Sequence, residues 1–207
     1  MTKAVIFDIG NVLVDWNVRY LFERLEPDAS RLKYFLSEVV PLSWHTQFDL
    51  GTSMREGVKA RAELYPDYAE LLDAYEARFD ETIGGVIEGS LQILKDLDDK
   101  GYPLFALSNF PKEQWDIFEA SYAFTRVFAD KVISGREGIA KPDQAIYELA
   151  HQRFGVEPAE TLFIDDRQEN IEAALTYGFQ AYHFQGADGL GDWLSANGWL
   201  PSKAMAL

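Results

Sequence analysis

The run Ala4-Val5-Ile6-Phe7 is apolar at every position, β-branched in the middle, and stops at a carboxylate, Asp8. Strict alternation would mark a strand with one wet face; an unbroken run marks a strand covered on both, as inside a parallel sheet. Comparable runs return at Leu104-Phe105-Ala106-Leu107, Lys131-Val132-Ile133, Thr161-Leu162-Phe163-Ile164 and Gln180-Ala181-Tyr182-His183-Phe184. Between them apolar residues recur at helical spacing. Ile87, Leu91, Leu94 and Leu97 precede Lys100-Gly101, and Ile171, Ala174 and Leu175 precede Gly178. Ala145, Ile146, Leu149 and Ala150 follow Pro142, read as part of that helix's first turn. Strands alternating with helices of this length predict an α/β fold of right-handed βαβ units around a parallel sheet.

One stretch breaks the rhythm. From about Asn17 to Gly85 no run reads as a strand, while Tyr20, Leu21 and Leu25, then Leu32, Phe35, Leu36 and Val39, then Leu64, then Tyr68 to Phe79 read as short helices. Residues 16–85 are therefore expected to be a helical cap inserted after the first strand, with 1–15 and 86–207 forming the core. Gly84-Gly85 and the segment after Leu13 are the expected hinges. Leu190, Trp193 and Leu194 predict a last short helix docked on the sheet, and the chain from Pro201 onward is expected to fray.

Composition limits what such a fold can do. Its 207 residues suit one domain, or one domain with an insertion. The 34 acidic residues against 19 basic ones give a charge of -15, which repels nucleic acid and anionic lipid alike. No cysteine is present, which excludes disulfides, thiolate metal sites and cysteine nucleophiles. The opening apolar run is too short for a signal-peptide core, and no stretch approaches a membrane span, so a cytoplasmic location is expected. The fold and charge leave open whether the chain is a monomer or a homodimer.

In open α/β sheets ligands bind beyond the carboxyl ends of the strands. Asp8, Ser108 with Asn109, Lys141, and Asp165 with Asp166 all stand at or after such ends. Three carboxylates at one rim repel one another unless a cation lies among them, and hard oxygen ligands suit Mg²⁺. Lys141 adds a second positive charge, and a helix starting near Pro111 would point free N–H groups at the same place. Such a site suits a phosphoryl group, with Asp8 as the nucleophile that forms an aspartyl phosphate. Gly10 lets the backbone approach a metal or ligand closely. Each residue also has a plainer reading: a strand-end aspartate that caps a helix, a solvated lysine, a capping serine.

Phe7-Asp8-Ile9-Gly10-Asn11-Val12-Leu13, Leu107-Ser108-Asn109, Gly138-Ile139-Ala140-Lys141-Pro142-Asp143 and Phe163-Ile164-Asp165-Asp166-Arg167, in that order, resemble the four motifs of the haloacid dehalogenase-like hydrolases. The resemblance implies a Rossmann-like three-layer core, a helical cap, and a Mg²⁺-dependent phosphatase acting on a small phosphorylated metabolite. It matches Asp8 to the nucleophile, Ser108 to the phosphate-binding hydroxyl, Lys141 to the phosphate-orienting lysine, and Asp165 with Asp166 to the metal-holding pair. Family phosphatases usually carry a second aspartate where Gly10 stands, which protonates the leaving group; glycine keeps only the backbone carbonyl as a metal ligand. The Asp-x-Gly-Asn form is similar to a branch that includes glucose 1-phosphate-type phosphatases. Asp15 is a weak substitute acid, better placed to cap a helix.

Within the expected cap, Trp16, Asn17, Trp44, His45, Gln47 and Asp49 offer aromatic faces and polar groups suited to a sugar. The alternative for the tryptophans is the cap's own core. His151 and His183 lack a metal-ligand pattern and are read as structural. Two rival functions stay open: a 2-haloacid dehalogenase, which needs no metal, and a non-catalytic binder of phosphorylated ligands.

Overall fold

In the computed structural model, residues 3–201 are described; Met1, Thr2 and the tail beyond Pro201, where the sequence predicts fraying, lie outside them. The chain runs β1 (Ala4–Phe7), β2 (Val14–Trp16), α1 (Arg19–Leu25), α2 (Ala29–Tyr34), α3 (Leu42–Asp49), α4 (Met54–Leu64), α5 (Ala69–Ala77) and β3 (Ile83–Val86). It continues with α6 (Glu88–Asp99), β4 (Leu104–Ser108), α7 (Lys112–Ser121), β5 (Asp130–Ile133), α8 (Ser134–Glu137) and α9 (Gln144–Phe154). β6 (Thr161–Asp165), α10 (Gln168–Tyr177), β7 (Gln180–His183) and α11 (Ala187–Ala196) complete it.

Five strands form one parallel sheet in the order β5-β4-β1-β6-β7, with β1 at its centre. Period-two alternation divides the buried strand residues between two apolar layers. Val5 and Phe7 pack on the side of α6 and α11, with Leu94, Leu97, Leu190 and Leu194. Ala4 and Ile6 pack with Phe163, Ile146 and Ile171 on the side of α9 and α10. Two helical layers therefore enclose the sheet, giving the three-layer Rossmann-like α/β fold.

Three local details differ from the sequence reading. The α9 helix starts at Gln144, not at Pro142, because the Asp143 side chain takes the capping role by accepting from the Ala145 N–H at 2.9 Å. Second, β2 and β3 pair antiparallel, a short ribbon that glycine content hides. Third, Gly84 lies in that ribbon under the Tyr20 ring. A Cβ there would stand 2.7 Å from the ring, so any larger residue would have to displace it.

Candidate active site

The carboxyl edge of the sheet gathers the charged residues. Asp8 follows β1, while Ser108 and Asp165 are the last residues of the adjacent strands β4 and β6. Lys141 reaches in from the loop before α9 with its side chain fully buried. Its ammonium donates to the Leu107 carbonyl at 2.9 Å and to Asp165 Oδ2 at 2.7 Å, and lies 3.0 Å from Asp8 Oδ2. The other Asp8 oxygen accepts from Ser108 Oγ at 2.9 Å and from the Ile9 N–H at 2.7 Å.

Burial pushes the Asp8 carboxyl up to about 7; Lys141 opposes the shift, and Asp165 and Asp166 reinforce it. Burial pulls the Lys141 ammonium down, but the Asp165 and Asp8 carboxylates outweigh it and hold the pKa above its ordinary value. Asp166 is raised by burial and by Asp165, against the pull of Lys141 and a hydrogen bond from the Asn11 side chain. Asp8, Asp165 and Asp166 each place a carboxylate oxygen within 4.8 Å of the others, an all-oxygen cluster able to hold a hard divalent cation.

Their roles in such a cluster differ. Asp165 accepts from the Arg167 N–H and Asn170 on Oδ1 and from Asn170 and Lys141 on Oδ2, which fills its acceptor positions. It anchors the lysine from behind. Asp8 and Asp166 instead border an open cavity of about 330 Å³, with Gly10, Ser108 and Lys141. Asn109 also borders it, but its amide is engaged: Nδ2 donates to the Lys141 carbonyl at 3.0 Å, and Oδ1 accepts from the Lys141 N–H at 2.9 Å. It thereby fixes the backbone from which the lysine reaches in.

The facing wall comes from residues between β1 and β4. Val14, Trp16, Leu42, Phe79 and Ile83 give it apolar surface, and His45 and Asp49 are its polar members. The other expected cap residues turn elsewhere. Asn17 Oδ1 accepts from the Arg19 N–H at the start of α1, and Trp44 packs on Phe48 and Tyr75. Gln47 donates to the Trp44 carbonyl at 2.7 Å. Asp15 accepts from the Tyr20 hydroxyl on the exposed side of β2, away from the cavity.

A model of the haloacid dehalogenase-like hydrolases matches residues 2–178. The chain belongs to this family. A sesquiterpene phosphatase of Aspergillus oryzae is 27% identical over 202 residues, spanning 87% of this chain and 89% of that protein. A chloroplastic flavin mononucleotide hydrolase of Arabidopsis thaliana is 30% identical over 109 residues, 53% of this chain and 44% of that one. Among solved structures, a family enzyme of Bacteroides thetaiotaomicron, in complex with magnesium and inorganic phosphate, superposes with a TM-score of 0.71. It is 20% identical, over 90% of this chain and 96% of that one, and the likeness is one of fold.

Two asparagines of this hydrolase have roles that the sequence alone does not show. Asn11 adopts a left-handed backbone (φ 56°), which asparagine tolerates better than most residues, and accepts from the Trp16 N–H at 3.0 Å. Asn170, buried beside Ile171 and Ala174 on α10, orients Asp165. A polar residue on an otherwise apolar helix face was the available signal. His183, read as structural, places Nε2 2.9 Å from the Asp166 carbonyl; His151 pairs with the Tyr177 hydroxyl. No helix among the described residues is long and apolar enough to cross a membrane.

Proposed function

We propose that this chain is a Mg²⁺-dependent phosphatase that hydrolyses a small phosphorylated molecule through an aspartyl phosphate on Asp8. The observation that carries this reading is Lys141 Nζ, held between Asp8 at 3.0 Å and Asp165 at 2.7 Å at the edge of a cavity that also takes in Ser108. A buried lysine with three partners is a fixed positive charge, suited to orient both an attacking carboxylate and the phosphoryl oxygens it approaches. Ser108 Oγ holds one Asp8 oxygen and leaves the other to attack.

The donor set fits magnesium, since it is all oxygen and two of its carboxylates border the cavity. Asp8, Asp166 and the Gly10 carbonyl would hold it, with Asp165 behind them. When bound, it neutralises charge on the carboxylates and on the phosphoryl group. Asp166 is kept in place for this by Asn11 and by the backbone contact to His183. A 2-haloacid dehalogenase fits less well, because Asp166 adds negative charge beside a site that would have to accept a carboxylate substrate.

Residues 16–85 act in this proposal as a cap over a core of 1–15 and 86–207, and their wall selects the substrate. That wall is mostly apolar, and the Trp16 indole N–H is buried with no acceptor. Both features favour a leaving group with apolar surface and one or two acceptors over a polyhydroxylated sugar. Similarity to a sesquiterpene phosphatase supports the same direction.

The test is phosphate release from terpenyl, flavin, sugar and aryl phosphates with Mg²⁺ or EDTA, for wild type and Asp8→Asn. Wild type with Mg²⁺ is expected to turn over. Chelation is expected to abolish release, and Asp8→Asn to lower it by about 10⁴-fold or more. Equal release by the two proteins sinks the assignment of Asp8, and a best rate on sugar phosphates overturns the reading of the wall.

A further inference from the structure

We propose that Asp49, the last residue of α3, is the proton donor to the leaving group, in a site where Gly10 supplies no side chain for that task. The inference rests on the phosphatase reading above. An alkoxide leaving from phosphorus needs a proton, and few cavity residues can give one. Lys141 is locked by three acceptors, Asp8 is the nucleophile, and Ser108 donates to Asp8. Arg167 is paired with Glu169. Burial pushes His45 down to about 4, so its ring is neutral, and Nδ1 is taken by the Tyr75 hydroxyl at 2.7 Å. Beside Asp8 the space is open: a Cβ on Gly10 would meet nothing within 4 Å.

Asp49 fits the role by position. It borders the same cavity as Asp8 but comes from the helical wall rather than from the strand ends. In an in-line displacement the leaving oxygen departs away from the nucleophile, so an acid on a different wall is where the proton is needed. Asp49 is buried, and its Oδ1 has no hydrogen-bond partner. The nearest cation-forming group, His45 Nε2, is 3.7 Å away, too far for a hydrogen bond. Burial raises the carboxyl to about 7 against the pull of Lys141 and Arg167, so much of it is protonated near neutrality. Tyr75, a further titratable neighbour, is held neutral by its own burial and shares a hydrogen bond with His45 Nδ1.

The step balances without any further reactant. An Asp8 oxygen bonds to phosphorus as the ester P–O bond breaks; its electron pair stays on the leaving oxygen, which takes the Asp49 proton and departs as the alcohol. Water then attacks the aspartyl phosphate at phosphorus. The Asp49 carboxylate takes the water's proton, and Asp8 and inorganic phosphate are released.

The test is kcat/KM, which reports the steps through release of the alcohol and not the later hydrolysis of the aspartyl phosphate, across phosphate monoesters whose leaving groups run from nitrophenol to a simple alkyl alcohol, with Mg²⁺, for wild type and Asp49→Asn. Loss of a general acid is expected to cost the alkyl ester about 10²–10⁴-fold and the nitrophenyl ester less than tenfold. Retained aryl turnover also reports that the variant is folded. In wild type, the alkyl-to-aryl ratio of kcat/KM is expected to fall as pH rises past the Asp49 pKa, with contributions from Asp8 and Asp166 cancelling in the ratio. A uniform loss across the series, or a pH-independent ratio, overturns the assignment of Asp49 while leaving the phosphatase reading intact. No Mg²⁺-dependent release from any ester by wild type overturns both.

Discussion

The two walls of the cavity are built by different physics. On one, Asp8, Ser108 and Asp165 sit at the ends of adjacent parallel strands, and the register that pairs Phe7 with Ala106 and Ile164 fixes their spacing. Its anchors are committed: Lys141 has three partners, and Asp165 has no free acceptor position. On the other, Trp16 comes from β2, His45 and Asp49 from α3, and Phe79 from the segment after α5, and the rings are set by packing on one another, such as His45 stacked on Phe79. Here polar atoms are left over, namely Trp16 Nε1 and Asp49 Oδ1. A saturated wall is preorganised for one charge pattern, whereas a wall with spare donors and acceptors is completed by what binds. The first can run a shared chemistry while the second decides what it acts on.

Breaking the saturated wall should cost most. Lys141→Met leaves Asp8 and Asp165 buried without their cation, and the expected loss of stability at pH 8 in EDTA is about 3–5 kcal/mol. Because burial already raises Asp8 to about 7, removing the lysine raises it further, so the loss should shrink towards pH 5 as Asp8 takes up a proton. Denaturant unfolding at the two pH values checks this; a loss that is the same at both would mean that the lysine acts through packing alone.

The unsaturated wall should answer in the opposite direction. Asp49 has a native pKa raised from 3.8 to about 7, so the native state binds the extra proton between those values. Its share of stability is present in full below the lower value and is lost as pH climbs through the upper one. Asp49→Asn removes that loss. The variant should therefore match wild type near pH 3.5 and exceed it at pH 9 by about 4 kcal/mol in thermal or denaturant unfolding. Equal stability at both pH values would show that the carboxyl is solvated rather than desolvated. A carboxyl that costs stability when ionised is the kind of residue retained for function.

The same contrast explains what was legible in the sequence. Strands β1, β4 and β6 announce themselves as apolar runs and β5 and β7 as shorter apolar stretches flanked by polar residues, and a polar residue directly after an apolar run is a strand-end residue by the same reading. Hence Asp8, Ser108 and the Asp165-Asp166 pair could be brought to one edge before any coordinates, and Lys141 through the connection that follows the β5 run. The helical wall carries no comparable ruler. Trp16 and Trp44 are equally plausible as lining, yet one borders the cavity from β2 and the other, on α3, packs on Phe48 and Tyr75, because side-chain placement there is set by contacts distant in sequence. The β2–β3 ribbon was hidden for a related reason: Gly84 and Gly85 have no strand preference, and the pairing arises when the chain returns from α5 to the core.

A smaller change can test whether the two walls must touch to work. Gly135 lies just after β5, where the end of α3 meets the core. A Cβ built there would stand 2.6 Å from the Phe110 carbonyl oxygen, 2.7 Å from the Lys112 nitrogen and 3.1 Å from the Phe48 carbonyl oxygen. All three are backbone atoms, so no side chain can rotate out of the way. On the other side, Gly51 (φ 92°) would place its own Cβ 3.0 Å from the Gly135 carbonyl oxygen. These glycines let the residues flanking Asp49 approach the core closely. Gly135→Ala should cost about 1–3 kcal/mol of stability, the usual penalty for forcing an extra methyl into a tight site. The informative readout is kinetic. If the contact sets where Asp49 stands, alkyl phosphates should lose more turnover than aryl phosphates; equal losses would mean that Gly135 serves only the α7 side of the contact, where Phe110 and Lys112 lie.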